Sequence, residues 1–428
     1  MLSKVNLPLT HVEQSNFRHL VWDIAWFGLA MAATSRFLSV FAIRLGASAT
    51  DLSWLTALPA LILLVSSSVA GLWVRRFSDA NRALRLPGLF FRFVFLLPAF
   101  APFMPDQWQT PYLILAASLP SLVQGTAATA FVLLMRSSMH DAAMPALLSR
   151  RSTAMNITVG IGALAFGLWL DYSAFPTNYQ LMYVLAFVFA IMSWWHCLAV
   201  DPSPNECPLA SPPRQANSPA SEANPWRSHG FRAVAVCIMI AYIAYFSVYA
   251  LVPLHLVKTL GASEGFIALY GIIELAAGAA VGLVTTRVVA RIGNRAMVAL
   301  SMIGTGIAVM IAATATSLPI TLLAAALSGA SWTAVAMIGL FAYFSENAPQ
   351  AHMSAYSVAY HQVLGLATFI GPLIGSFLAG SGLNLVAVLL IGSVLRLAAA
   401  PLIDHSLMTT IKTAGQAVIR LVKVDHRA

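Results

Sequence analysis

The chain has 428 residues, 59% of them hydrophobic and only 9% charged, with a mean hydropathy of +0.79. A soluble domain carries about 25% charged residues, so composition excludes one, and repeated apolar runs of roughly 20 residues exclude a membrane β-barrel, whose strands alternate over about 10. The net charge of +9 would suit nucleic acid, but Lys and Arg flank the apolar runs as they do on a membrane protein's inner face, so no nucleic-acid partner is expected.

In chain order, the first 19 residues hold no apolar core, so no cleavable signal peptide is expected and the first span directs insertion. Apolar windows of about 19 residues then place spans at Leu20–Leu45, Leu52–Val74, Leu86–Phe103, Tyr112–Met135, Thr153–Leu170 and Gln180–Val200. Asp201 to His229 breaks the pattern. Rich in Pro, Ser, Ala and Asn, it cannot bury enough apolar surface to offset the entropy of ordering, and it reads as a flexible linker. Further spans follow at Phe231–Pro253, Ser263–Thr286, Ala296–Thr316, Pro319–Phe344, Ser354–Ala379 and Leu383–Ile403. In the tail, Leu407, Ile411, Ala414, Val418 and Leu421 recur at spacings of three and four, which predicts an amphipathic helix on the inner leaflet.

The expected fold is an all-α integral membrane protein with twelve transmembrane helices in two six-helix, pseudo-symmetric bundles. One bundle occupies 1–200, a cytoplasmic linker 201–229, the second bundle 230–403 and the amphipathic tail 404–428. With both termini cytoplasmic, the inner segments hold most of the Lys and Arg and the outer loops only Arg44 and Lys258, as expected of a multi-pass protein of an inner or plasma membrane. The cysteines, Cys197, Cys207 and Cys237, show no spacing for a disulfide framework or a metal site.

The halves echo each other at an offset of about 215 residues, the kind of repeat found in transporter folds. Gly46-Ala47-Ser48 matches Gly261-Ala262-Ser263, Arg76 falls on Arg291, and Gly160 falls on Gly375. A shorter echo links Gln124-Gly125-Thr126-Ala127-Ala128 with Ser328-Gly329-Ala330-Ser331-Trp332.

Over nearly its whole length the chain resembles the major facilitator superfamily. The family's loop motif after the second span, G-x-x-x-D-R-x-G-R-R, is matched by Gly71 and Arg76, with Arg75 where the acid should stand. Its second copy keeps Arg291 and Gly293, again without the acid. The family's span-four motif, R-x-x-Q-G-x-x-A-A, keeps Gln124, Gly125, Ala127 and Ala128 but lacks the arginine. Span five carries Gly160, Gly162 and Gly167 without the proline of the exporter signature, and span eleven has Gly371-Pro372 and Gly375. The resemblance implies two bundles that rock about a central cavity lined by spans one, four, seven and ten, with the motif loops (Gly71, Arg76, Arg291, Gly293) governing the conformational change. Independently of the family, helices in lipid associate through close approach at small residues, so Gly160, Gly167, Gly371 and Gly375 are expected at helix seams.

A charge inside a span costs about 3 kcal/mol or more on insertion scales, so it calls for a partner, a wet cavity or a function. Arg36 in span one and Glu274 in span eight stand out. Glu274 is the candidate protonatable coupling site, with Arg36 as its counter-ion or an anchor for an anionic substrate. His361 in span eleven is a further proton carrier by residue type. Gln124, Ser331, Trp332, Tyr245 and Gln362 are the expected substrate contacts, since aromatic and hydrogen-bonding groups suit a partly apolar molecule. Asp23 is expected to cap span one or pair with a nearby base, and Arg92 and Arg396 are expected to reach the headgroups.

No phosphate-cradling Gly-Lys-Ser/Thr loop, HExxH or Cys-x-x-Cys occurs, so neither an enzyme nor a bound cofactor or metal is expected. The expected function is secondary active transport of a small, partly apolar molecule, proton-coupled and outward, by a monomer in the bilayer. The alternative is a transporter-shaped assembly factor or receptor that moves nothing.

Overall fold

A computed structural model describes residues 9–77, 79–140, 143–201, 224–333, 338–349 and 352–404. The first helix, α1 (His11–Arg44), begins well before the apolar run that suggested it. The cause is a capping box: Thr10 Oγ1 accepts from the Glu13 backbone N–H at 3.2 Å, and the Glu13 carboxylate accepts from the Thr10 backbone N–H at 3.0 Å. These bonds satisfy donors that a helix start otherwise leaves open. Ser48 and Asp51 repeat the device at α2 (Ala49–Val74). Between the two helices Gly46 has φ +89°, and Gly261, at the matching place in the second half, has φ +69°. Both values favour glycine, so this part of the internal repeat is kept in the backbone.

The chain continues through α3 (Ala80–Phe91) into two 3₁₀ segments, Arg92–Phe95 and Leu97–Phe103, bent by 40°. Pro98 and Pro102 lack the amide protons an α-helix would need there. Then come α4 (Asp106–Ser118), α5 (Ser121–Ser138), α6 (Met144–Tyr172) and α7 (Thr177–Leu198). After a short 3₁₀ turn at Pro225–Arg227 follow α8 (His229–Phe246), α9 (Leu251–Lys258), α10 (Glu264–Ile292) and α11 (Asn294–Thr314). The expected tenth span is realised as α12 (Leu318–Trp332) and α13 (Leu340–Asn347), with π-helical residues at Thr333, Ile338 and Gly339 between them. Last come α14 (Met353–Gly380) and α15 (Leu385–Ile403).

Among the described residues, 10 helical stretches are long and apolar enough to cross a membrane, and the bent stretch Ala80–Phe103 makes 11. Leu318–Trp332 is a shorter apolar helix. The all-helical membrane fold expected from composition is therefore present. The expected tail helix and most of the linker lie outside the described residues.

Two compact units form. The first comprises Met1–Ala216 with Gly261–Ile272, and the second Asn217–Leu260 with Ile273–Ala428. In the first, α1 packs along α6 and α7, and α5 against α2 and α3. Gly28 faces Thr158 and Gly162 faces Ala32 across the α1–α6 seam. Asn16 Nδ2 donates to Asp201 O at 2.7 Å, and Asn81 Nδ2 to Val200 O at 3.0 Å, which fastens the end of α7 to two earlier elements. In the second unit, α15 packs on α11 and α14 on α8. Its core gathers Phe231, Ile238, Met302, Phe344 and Tyr360.

Of the expected seam glycines, Gly167 lies against Ala268 and the Glu264 carbonyl, Gly371 against Phe246, and Gly375 against the Ser247 carbonyl. Gly160 faces open space, because the α6 surface that meets α1 is the one carrying Gly162.

Candidate functional site

Within the first unit α1 carries Asp23, Ile24, Phe27, Met31, Thr34 and Leu38 into a cavity of about 520 Å³. Their three-to-four spacing puts them on one helix face. Gln124 of α5, an expected substrate contact, also lines this cavity. One end is charged. Asp23 is 3% exposed, and its Oδ1 accepts from Ser193 Oγ at 2.7 Å and from Cys197 Sγ at 3.0 Å. Its Oδ2 takes Arg151 Nη1 at 3.0 Å, and Arg92 Nη2 stands 3.9 Å from Oδ1.

This decides one expectation and corrects two. Asp23 lies in the body of α1 and caps nothing, because the helix starts at the Thr10 box; the alternative expectation, a basic partner, is met by Arg151. Arg92 does not reach for headgroups. It is 6% exposed and donates to Ala190 O, Gly88 O and Ser193 Oγ at 2.7, 2.6 and 2.8 Å. Arg396, also expected at the interface, is 2% exposed, donates to Thr305 O at 3.2 Å and Tyr245 O at 2.6 Å, and lies over the Tyr245 ring at 4.5 Å. In each case backbone carbonyls inside the bundle satisfy the guanidinium, removing the reason to extend towards water.

At the far end of α1, Arg44 and Glu264 form a bidentate pair, Nε–Oε1 2.8 Å and Nη2–Oε2 3.0 Å, and Tyr179 O–H donates to Oε1 at 3.0 Å. Asp171 accepts from the Gly265 backbone N–H at 3.0 Å and from Ser263 Oγ at 3.1 Å. Arg36 packs on Gly271, with Nη2 3.5 Å from its carbonyl oxygen.

Glu274 belongs to the second unit. It is half-buried, and Ser328 Oγ donates to its Oε1 at 3.2 Å. Gly329 lies directly on the Glu274 backbone, and Gly278 lies against Thr333, so α10 and α12 approach through two glycines. Tyr245 stacks on Trp332 with ring centroids 3.5 Å apart and planes at 12°. Tyr242 and Phe246 border the same indole at 5.1 and 5.8 Å. Ser331 projects elsewhere, against Gly304 of α11. His361 is exposed and bonds the Ser357 carbonyl of its own helix at 2.8 Å; Gln362 is exposed beside it.

Of the loop residues, Gly71 has open space around it and Arg76 is exposed beside a groove lined by Trp73, Leu86 and Phe90. Arg291 is exposed, while Gly293, at φ +84°, precedes α11. Next to it Asn294 Nδ2 donates to Glu346 at 2.6 Å and Arg295 Nε to Ile403 O at 2.6 Å, so the ties at this corner fall on the motif's neighbours.

Sequence reasoning missed the Asp23–Arg92–Arg151 cluster and the Arg44–Glu264 pair. The signal for the first was the Thr10-x-x-Glu13 box, which moves the helix start and puts Asp23 inside. The second carried no local signal, since its partners lie far apart in sequence.

The Major Facilitator Superfamily model matches residues 234–410. No curated protein sequence matches the chain significantly. Among solved structures the chain resembles an auto inhibited POT family peptide transporter, with a TM-score of 0.71 and 11% identity, covering 91% of this chain and 96% of that one. It also resembles a D-xylose-proton symporter, with a TM-score of 0.67, 15% identity and 92% and 97% coverage. A third likeness is to the inward open xylose transporter XylE from E. coli, at 0.65, 13% identity, 91% and 95%. At these identities what is shared is the fold.

Proposed function

From a chain that has the major facilitator superfamily fold and matches that family over residues 234–410, we infer a secondary active transporter that exports a small, partly apolar molecule in exchange for protons. Its two halves alternate access about a mid-membrane chamber, both termini lie in the cytoplasm, and the working form is a monomer. The supporting observation is Glu274: a carboxylate within a span, accepting from Ser328 of α12, the helix that ends at the Trp332 of the Tyr245–Trp332 stack. An acid placed so can bind a proton when its surroundings dry and release it when they wet. In this reading Arg36 is its counter-ion, and Tyr245, Trp332 and Gln124 face the substrate. Ser331 and Gln362 serve as outlying contacts, and His361 hands protons on.

The test uses proteoliposomes with a pH-sensitive dye inside and a library of small, partly apolar compounds. The expected result is compound-dependent proton movement in the wild type, lost in Glu274→Gln. Unchanged pH-dependent flux in that variant removes Glu274 from coupling. No proton movement with any compound favours a transporter-shaped receptor or assembly factor instead.

A further inference from the structure

Among the described residues, the charged end of the cavity in the first unit has one cation more than it has anions: Arg92 and Arg151 against Asp23. Asp23 and Arg92 are well supplied with partners. Ser193 links them, accepting from Arg92 and donating to Asp23. Arg151 differs. The Leu20 carbonyl and Asp23 Oδ2 take the two protons of its Nη1, and among the described residues none takes those of Nε or Nη2. Yet this side chain is 7% exposed, with its guanidinium carbon 4.8 Å over the Phe131 ring. These donors are not sealed in protein, and Arg151 lines the cavity, where an oxyanion can accept from them.

The rest of the chamber has the opposite character. Phe27, Met31, Phe91, Phe95 and Met155 give it apolar walls, two of them flexible thioethers that adapt to irregular shapes. At about 520 Å³ it falls within the range that takes one drug-sized molecule. A single medium-length acyl chain fits that volume better than a two-chain lipid.

We propose that this cavity binds an anionic amphiphile with one acyl chain, its carboxylate or phosphate head on the free donors of Arg151 and its tail between Phe27, Met31 and Met155. The head brings the negative charge the cluster lacks, and a guanidinium fork matches either oxyanion. The tail removes apolar wall from water. The site stands apart from proton coupling at Glu274: it is read by binding, and a failure of Glu274→Gln to alter flux leaves it in place.

The test is native mass spectrometry of the full chain released from zwitterionic phosphatidylcholine nanodiscs after incubation with laurate, lysophosphatidylglycerol, laurylamine or lauryl alcohol. A one-to-one adduct is expected with the anionic probes and not with the amine or the alcohol. An adduct with laurate alone identifies a free fatty acid as the source, and one with lysophosphatidylglycerol a lipid headgroup; either carries the proposal. Arg151→Gln is expected to weaken binding about tenfold or more, as loss of a charge-assisted fork does. Met155→Trp keeps every charge and fills the tail space, so it is expected to abolish the adduct in a protein whose charge cluster is intact. Equal adducts with laurylamine and laurate, no adduct with either anion, or wild-type binding by Met155→Trp would overturn the proposal.

Discussion

At the scale of single residues, the chain shows how an arginine within an apolar sequence finds its place. Arg92 and Arg396 were expected to extend to headgroups, and both are held inside by backbone carbonyl oxygens, three of them on neighbouring helices and one, Gly88, on Arg92's own. Window hydropathy registers a charge and its depth but not the carbonyls that other helices bring to it. The physical consequence is asymmetric: replacing a whole buried ion cluster with apolar groups can be neutral, whereas removing one partner strands the others. Asp23→Leu therefore leaves Arg92 and Arg151 buried without their anion and is expected to destabilise the protein by about 3–5 kcal/mol. A thermal-unfolding midpoint in detergent, followed by loss of the monodisperse peak, measures it; a midpoint within a degree of wild type would show the cluster to be dispensable. Asp23→Asn, which keeps the acceptor for Ser193 or Cys197, is expected to fall between.

At the scale of elements, helix contacts in this molecule are set by where the backbone is bare. Gly167 meets Ala268, and Gly329 meets the Glu274 backbone, at distances that leave no room for a side chain. Gly160, two residues and so about half a turn from Gly162 on the same helix, has open space. Gly167→Leu is thus expected to force α6 and the start of α10 apart and lower the unfolding midpoint, while Gly160→Ala changes stability by no more than a few tenths of a kcal/mol. Equal effects of the two substitutions would contradict the packing. Glycine spacing in the sequence identified the class of residue but not which face of α6 it occupies. That depends on the direction from which α1 approaches.

At the scale of the whole molecule, α10 gives its first residues to one compact unit and the rest to the other. Its start is tied into the first unit through Arg44–Glu264, Tyr179–Glu264 and Asp171–Gly265. If the proposed transport cycle moves this start away from α1, α6 and α7, the pair at Glu264 must break each time. Glu264→Gln then favours the separated form. A cysteine at Ile267, 6% exposed in the parent, is expected to react faster with a membrane-impermeant maleimide in Glu264→Gln than in the parent, measured against the same proteins without the added cysteine. An unchanged labelling rate would show that the pair only fastens the fold.

The sequence by itself determined the membrane class, most of the spans, the polar break after Asp201 and the paired Gly46 and Gly261 corners, because each is carried by local composition or by a backbone angle that one residue type favours. It also singled out Glu274 as a charge that its span must accommodate. Only the tertiary structure decided where Asp23, Arg92, Arg151 and Arg396 go and which glycines are seams. The reason is physical: in lipid the cost of a charge or a bare backbone is settled by its neighbours, and those neighbours come from segments tens to hundreds of residues away.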